Sequence, residues 1–170
     1  MKIGIISDTH KKVKKAKRAI DTLLADGAEF IVHAGDIVEL EILELLKKSN
    51  LKYVAVYGNN DAHLVHHHNE YNLVQEPYYF KIADTKFKLM HLPFYMTPDA
   101  DVVISGHTHI FESEFTGNTL FLNPGEVCAR NKPVSEWTML DISEKNFQVT
   151  YYTRANKSDD INKKEFNYER

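Results

Sequence analysis

The sequence predicts an α/β fold in which two mixed sheets face each other with helices outside. Three observations lead there. Residues Lys2 to Asp61 alternate β-rich apolar runs with amphipathic helical segments, and Tyr78 to Arg154 read as successive hairpins. The third is size: 170 residues, 43% hydrophobic, suit one domain with a sizeable core. Residues 1–154 are therefore read as a single domain and 155–170 as a polar C-terminal tail, mobile or used as a partner-binding arm.

The opening run, Lys2-Ile3-Gly4-Ile5-Ile6-Ser7, is too uniformly apolar for a strand with one wet face, so it belongs at the centre of a sheet covered on both sides. Val13, Ala16, Ile20, Leu23 and Leu24 recur at helical spacing, and Gly27 stops that helix. Phe30 to His33 form a second strand that leads into Gly35-Asp36. Leu40, Leu43 and Leu46 mark one face of a second helix, and Tyr53 to Tyr57 form a third strand ending at Gly58. These are βαβ units with right-handed crossovers. Beyond Pro77 the punctuation changes to turns. Tyr78–Ile82 and Lys86–Met90 flank Ala83-Asp84-Thr85, and Val102–Ser105 is a further apolar strand. Glu112–Phe115 pairs with Leu120–Leu122, and Trp137–Ile142 with Phe147–Tyr152.

Charge and cysteine content narrow the function classes. A net charge of −3 gives no global attraction to nucleic acid or anionic membrane. There is no long uncharged apolar run and no leader pattern, so the expectation is a cytoplasmic protein with no membrane partner. A single cysteine, Cys128, cannot form an internal disulfide and is read as inert packing.

Four short clusters then stand out, each where an apolar run gives way to a loop: Asp8-Thr9-His10, Gly35-Asp36, Gly58-Asn59-Asn60-Asp61 and Gly106-His107-Thr108-His109. Parallel strands deliver such loops to one edge of a sheet, where ligands far apart in sequence converge. Carboxylates, imidazoles and amide oxygens hold hard or borderline divalent metals. Asp8 and His10, two residues apart, can face one ion, as can His107 and His109, and Asp36 can join two ions through its carboxylate.

In this order, each after a strand, the clusters resemble the calcineurin-like metallophosphoesterases, and in particular the small bacterial and archaeal phosphodiesterase branch, which is similar to the metal-binding subunit of the retromer coat. The resemblance runs from Met1 to about Arg154. It implies a four-layer α-β-β-α sandwich and two divalent ions, with manganese favoured over zinc, iron or nickel. The first ion would be held by Asp8, His10, Asp36 and His109, and the second by Asp36, Asn59, His91 and His107. His91-Leu92-Pro93 stands where the family shows His-Gly-His, and the link from His91 to His107 is short, so the helix usual there is expected to be trimmed.

The activity implied is phosphodiester hydrolysis by a metal-bridging hydroxide, on a small molecule or nucleotide. Larger relatives carry a histidine acid after the motif asparagine, and here that place is Asn60. Catalytic roles are therefore expected of Asp36 and Asn59, with Asp61 orienting the loop and His63 either a solvated residue or a replacement acid. The alternative, from the same resemblance, is a metal-binding scaffold for protein–protein interaction.

Several features stay open at the level of sequence. Lys11, Lys12, Lys14, Lys15, Lys17 and Arg18 form either a solvated face or an attractor for polyanionic substrates. His66, His67 and His68 belong to a polar loop or the pocket mouth. Asn123-Pro124-Gly125-Glu126, with Arg130 nearby, departs from the branch's Asn-Pro-Gly-Ser turn at its last residue, and is expected to buttress the site in preference to acting directly in catalysis. Phe94, Tyr95 and Tyr151 are assigned either to a homodimer patch or to the core.

Overall fold

In the computed structural model, which describes residues 1–170, the first half runs β1 (Lys2–Ile6), α1 (Val13–Ala25), β2 (Phe30–His33), α2 (Leu40–Lys48), β3 (Lys52–Val56), a 3₁₀ helix (Ala62–His67) and β4 (Leu73–Val74). The second half runs β5 (Tyr78–Ile82), β6 (Thr85–Leu89), β7 (Val102–Ile104), β8 (Phe111–Thr116), β9 (Thr119–Pro124), β10 (Val134–Ile142), β11 (Asn146–Ala155) and β12 (Asn162–Glu169). The strands form a seven-stranded sheet in the order β12-β11-β10-β1-β2-β3-β4 and a five-stranded sheet in the order β5-β6-β7-β9-β8. Both are mixed: β1 pairs parallel with β2 and antiparallel with β10, while β7 pairs parallel with both β6 and β9.

The two-residue side-chain period of a strand explains why β1 is apolar from Ile3 to Ile6. Ile3 and Ile5 point between the sheets, where they meet Val32, Val54, Leu89 and Ile104 in one core cluster. Ile6 points the other way and joins Ala16, Ile20 and Leu23 of α1 and Leu43 and Leu46 of α2 in a second. The first helix packs so closely that a Cβ at Gly4 would lie 2.8 Å from Leu23 Cδ1.

Both α-helices lie against the seven-stranded sheet. On the outer face of the five-stranded sheet the fourth layer is a coil segment between β6 and β7, the place where a trimmed connection was expected. It covers a small cluster of Met90, Ala100 and Val103. It also encloses the buried ammonium of Lys88, which is held by Asp99 at 2.5 Å, the Tyr95 carbonyl at 2.8 Å and Thr97 Oγ1 at 2.7 Å. Phe94 and Tyr95 on this segment are exposed, whereas Tyr151 is stacked on Phe111 with ring centroids 3.9 Å apart.

The expected C-terminal tail is corrected by β12. Residues Asn162–Glu169 pair antiparallel with β11 along its length and close one edge of the larger sheet. Phe166 and Tyr168 turn inward onto the inter-sheet core while Lys163, Glu165 and Glu169 stay exposed. Two inward aromatics suffice for an edge strand whose other face is wet. No helix is long and apolar enough to cross a membrane.

Candidate metal centre

The loops after β1, β2, β3, β6, β7 and β9 meet at one edge of the paired sheets, and backbone hydrogen bonds lace them together. Asp8 N–H donates to the Gly35 carbonyl at 3.0 Å, His10 N–H to Asp36 at 2.9 Å, Gly106 N–H to His91 at 3.1 Å and Cys128 N–H to Asp8 at 3.1 Å. This lacing holds residues that would relax on their own. Asp8, His10, Asp36, His107 and His109 have φ of 52°, 45°, 54°, 67° and 61°. That left-handed region costs a non-glycine residue about 1–3 kcal/mol and concentrates at functional sites.

Two groups of side chains result, sharing Asp36. In the first, His10 Nε2 lies 3.6 Å from Asp36 Oδ2 and 4.0 Å from Asp8 Oδ1, and His109 Nε2 lies 3.2 Å from that same Asp8 oxygen. In the second, His91 Nε2 lies 3.5 Å from Asp36 Oδ1 and 3.0 Å from Asn59 Oδ1, which is also 3.1 Å from His107 Nδ1. The carboxylates, His91 and His109 are buried, while Asn59 and His107 sit at the mouth.

The donor set fits divalent metal ions. Asp8 Oδ1 and His10 Nε2 are buried without a hydrogen-bond partner, which is costly for polar atoms facing only protein. Asp8, Asp36 and His91 offer atoms within 4.8 Å of one another, as do His10, His109 and Cys128. The glycines shape this space. A Cβ at Gly35 would lie 2.7 Å from the His91 ring, and one at Gly58 would overlap the Asp36 backbone nitrogen and Oδ1. Gly58→Ala should therefore displace Asp36 and destabilise the fold by about 1–3 kcal/mol. Thermal unfolding together with metal titration checks this, and parental values in both would contradict it.

Electrostatics favour positive charge at the same place. Hydrogen bonding to Asp8, then to Cys128, pushes His109 up to about 11 against the opposing effect of burial, with Glu126 adding to the rise. Burial opposes ionisation of Asp36, but hydrogen bonds from His91 and Asn60 outweigh it and hold the carboxyl well below the usual range. Burial keeps His10 below its ordinary value despite Asp36 and Asp8, leaving a neutral ring with a free lone pair. Asp8 and Asp36 thus concentrate carboxylate charge that positively charged groups balance.

Further residues fix the orientation of these groups. His91 Nδ1 faces the Ala34 carbonyl at 2.8 Å, which leaves Nε2 turned into the centre. Glu76 accepts the backbone N–H of His91 and, at 2.9 Å, that of Leu92. Asn60 binds both Asp36 oxygens, through its N–H at 3.0 Å and its Nδ2 at 2.8 Å. Asp61 is buried and accepts from the backbone N–H groups of Ile37, Val38 and Gly58 at 3.1, 2.8 and 2.7 Å.

Glu126 is a residue whose chemistry sequence reasoning missed. It is buried beneath His109, taking Nδ1 at 2.6 Å and Cys128 Sγ at 3.2 Å. It also accepts the backbone N–H groups of Arg130 at 2.9 Å, Asn131 at 2.8 Å and Lys132 at 2.8 Å. A glutamate in place of the turn serine was the available signal.

His33, unassigned from the sequence, is also buried, with Nε2 2.9 Å from Thr9 Oγ1 and Nδ1 accepting Gly35 N–H at 3.1 Å. Burial drops it from 6.5 to about 3. The unfolded chain takes up this proton below pH 6.5 and the folded chain does not until about pH 3, so acidification favours unfolding across that window. The group contributes a slope of about 1.4 kcal/mol per pH unit. Denaturant titrations of metal-free His33→Gln should show a flatter decline than the parent, and matching slopes would contradict this.

Residues 1–145 match the calcineurin-like phosphoesterase superfamily domain. The chain belongs to this superfamily. The family is metal-dependent, and this phosphoesterase presents side chains that could hold a metal ion. It is 31% identical over 161 residues to a phosphodiesterase of Methanocaldococcus jannaschii, covering 87% of this chain and 97% of that protein. A probable metallophosphoesterase of Methanothermobacter thermautotrophicus is 32% identical over 140 residues, with 74% and 76% covered. Among solved structures, an archaeal phosphodiesterase superposes with a TM-score of 0.75 at 30% identity, covering 91% of this chain and 99% of that one. A Vps29 variant from Entamoeba histolytica superposes at 0.77 with 22% identity and 99% of both chains covered, a likeness of fold alone.

In this phosphoesterase a cavity of about 550 Å³ opens beside His10, lined also by Lys11, Lys12, Val38, Asn60 and Arg130. His63 lies outside it, its Nε2 2.6 Å from the Val38 carbonyl. His66 to His68 do not reach the centre either: His67 pairs with Glu70 at 3.7 Å, and His68 Nδ1 lies 2.9 Å from the Val65 carbonyl. The basic run divides. Lys15 and Arg18 tie to Asn156 and Asp159, Lys17 pairs with Asp21, and only Lys11 and Lys12 face the cavity.

Proposed function

We propose that this chain is a phosphodiesterase with a dinuclear centre. One ion would be held by Asp8, His10, Asp36 and His109, the other by Asp36, Asn59, His91 and His107, with manganese favoured by the oxygen and imidazole donors. The observation that carries this reading is the shared Asp36, with one oxygen toward His10 and the other toward His91. When bound, such ions supply an activated water and neutralise the phosphoryl oxygens.

The chain's own residues set the rest. Asn60 fixes the Asp36 carboxylate and brings no acidic proton to the leaving oxygen. The His63 ring is engaged with a backbone carbonyl outside the cavity, so an acid role for it is not part of this reading. With no group placed to protonate a poor leaving group, activated diesters rank above simple monoesters as substrates. A buried free thiol at Cys128 is in keeping with a reducing, cytoplasmic setting.

The test is hydrolysis of bis(p-nitrophenyl) phosphate against p-nitrophenyl phosphate, with manganese added or removed by chelation. Metal-dependent turnover that prefers the diester is expected. Stoichiometric metal binding without turnover by any divalent ion would instead favour a protein-binding scaffold.

A further inference from the structure

Three cations on the cavity wall have no partner. Lys11 and Lys12 follow His10 directly, and Arg130 comes from the loop after β9. The basic residues of α1 that reach a partner are Lys15, Lys17 and Arg18, whereas no ion pair or side-chain hydrogen bond involves Lys11, Lys12 or the Arg130 guanidinium. No carboxylate lines the cavity.

The opposite flank of the centre is different. A hollow of about 280 Å³ there is lined by Tyr57, Gly58, Asn59, Ala62, Val65 and Gln75, none of them charged. The two sides of the metal centre are therefore electrostatically unlike. A scissile phosphate neutralised at the centre leaves the three cations unbalanced, and Arg130 offers the planar fork that suits a phosphate. Between that end and His10 the wall is lined by Val38, Cys128 and Ala129, a stretch against which a sugar can lie.

We infer that this cavity is a second phosphate subsite, so that the preferred diester carries a terminal phosphate on the flank passing His10, as a 5′-phosphorylated dinucleotide does. This rests on the phosphodiesterase reading above. The uncharged half of the substrate occupies the hollow at Tyr57 and Gln75.

The experiment compares a dinucleotide with and without its 5′-phosphate, on the manganese-loaded parent and on the Lys11→Gln/Lys12→Gln/Arg130→Gln variant. In the parent the terminal phosphate should lower KM by roughly tenfold, the size expected of several partly exposed charge contacts. In the variant that ratio should fall toward one. Equal KM values in the parent, or a preference that survives in the variant, would overturn the subsite. If the parent turns over neither dinucleotide, the phosphodiesterase reading is decided by bis(p-nitrophenyl) phosphate and the subsite by calorimetry on the full chain with chelator present. Tighter binding of the phosphorylated dinucleotide by the parent, lost in the variant, supports it, and equal binding overturns it.

Discussion

Replacing Asp36 by asparagine should reduce phosphodiester hydrolysis by about a thousandfold or more, equivalent to roughly 4 kcal/mol of lost transition-state stabilisation. Asp36 lies between the two groups, with Oδ2 3.6 Å from His10 Nε2 and Oδ1 3.5 Å from His91 Nε2. An amide keeps a single oxygen and turns an NH₂ toward one of the two positions, where a donor is useless to a cation. It also confronts one Asn60 donor, since Asn60 N–H and Nδ2 now bind separate Asp36 oxygens. Metal titration by calorimetry should show fewer ions bound per chain. Far-ultraviolet circular dichroism should be unchanged, because the substitution removes buried charge and leaves the strands intact. Activity retained within about tenfold of the parent would remove Asp36 from the proposed shared position.

Replacing Glu126 by alanine should have the largest effect on stability, about 3–5 kcal/mol in denaturant titrations. The carboxylate is completely buried and receives the His109 ring, the Cys128 thiol and three consecutive backbone N–H groups. Alanine leaves all of these donors facing a void. Glu126→Gln keeps most of the volume but loses the charge and places an NH₂ among donors, so about 1–3 kcal/mol is expected. Glu126 also orients His109, so metal affinity in the glutamine variant should fall by about 10–100-fold. A stable glutamine variant with parental metal affinity would restrict Glu126 to holding the loop at 130–132.

The first half of the chain was legible in its residues because period and punctuation agree there. Val13, Ala16, Ile20 and Leu23 lie on the buried side of α1, and Gly27 follows the helix end with φ of 88°. The hairpins were legible too: Gly117-Asn118 lies in the turn joining β8 and β9, and Ala83-Asp84 in that joining β5 and β6. The last strand was hidden because β12 carries only two inward aromatics among mostly charged and polar neighbours. Its pairing depends on an available edge of β11, a fact about the rest of the molecule. Glu126 was hidden for a similar reason. Nothing local distinguishes a glutamate in a surface turn from one buried under a histidine supplied by a different loop.

The sequence by itself determined the order of the main strands and helices as far as β11 and which loops carry candidate metal-binding donors, because hydrophobic period, turn residues and donor types are local properties. Only the tertiary structure decided which atoms meet. It set Asp36 between two histidines, packed Glu126 under His109, pinned Asn60 to the shared carboxylate and kept His63 out of the cavity. These juxtapositions depend on left-handed backbone turns held by hydrogen bonds between loops distant in sequence, such as Cys128 N–H to the Asp8 carbonyl at 3.1 Å. No short stretch of sequence encodes a conformation that is stable only when its neighbours are already in place.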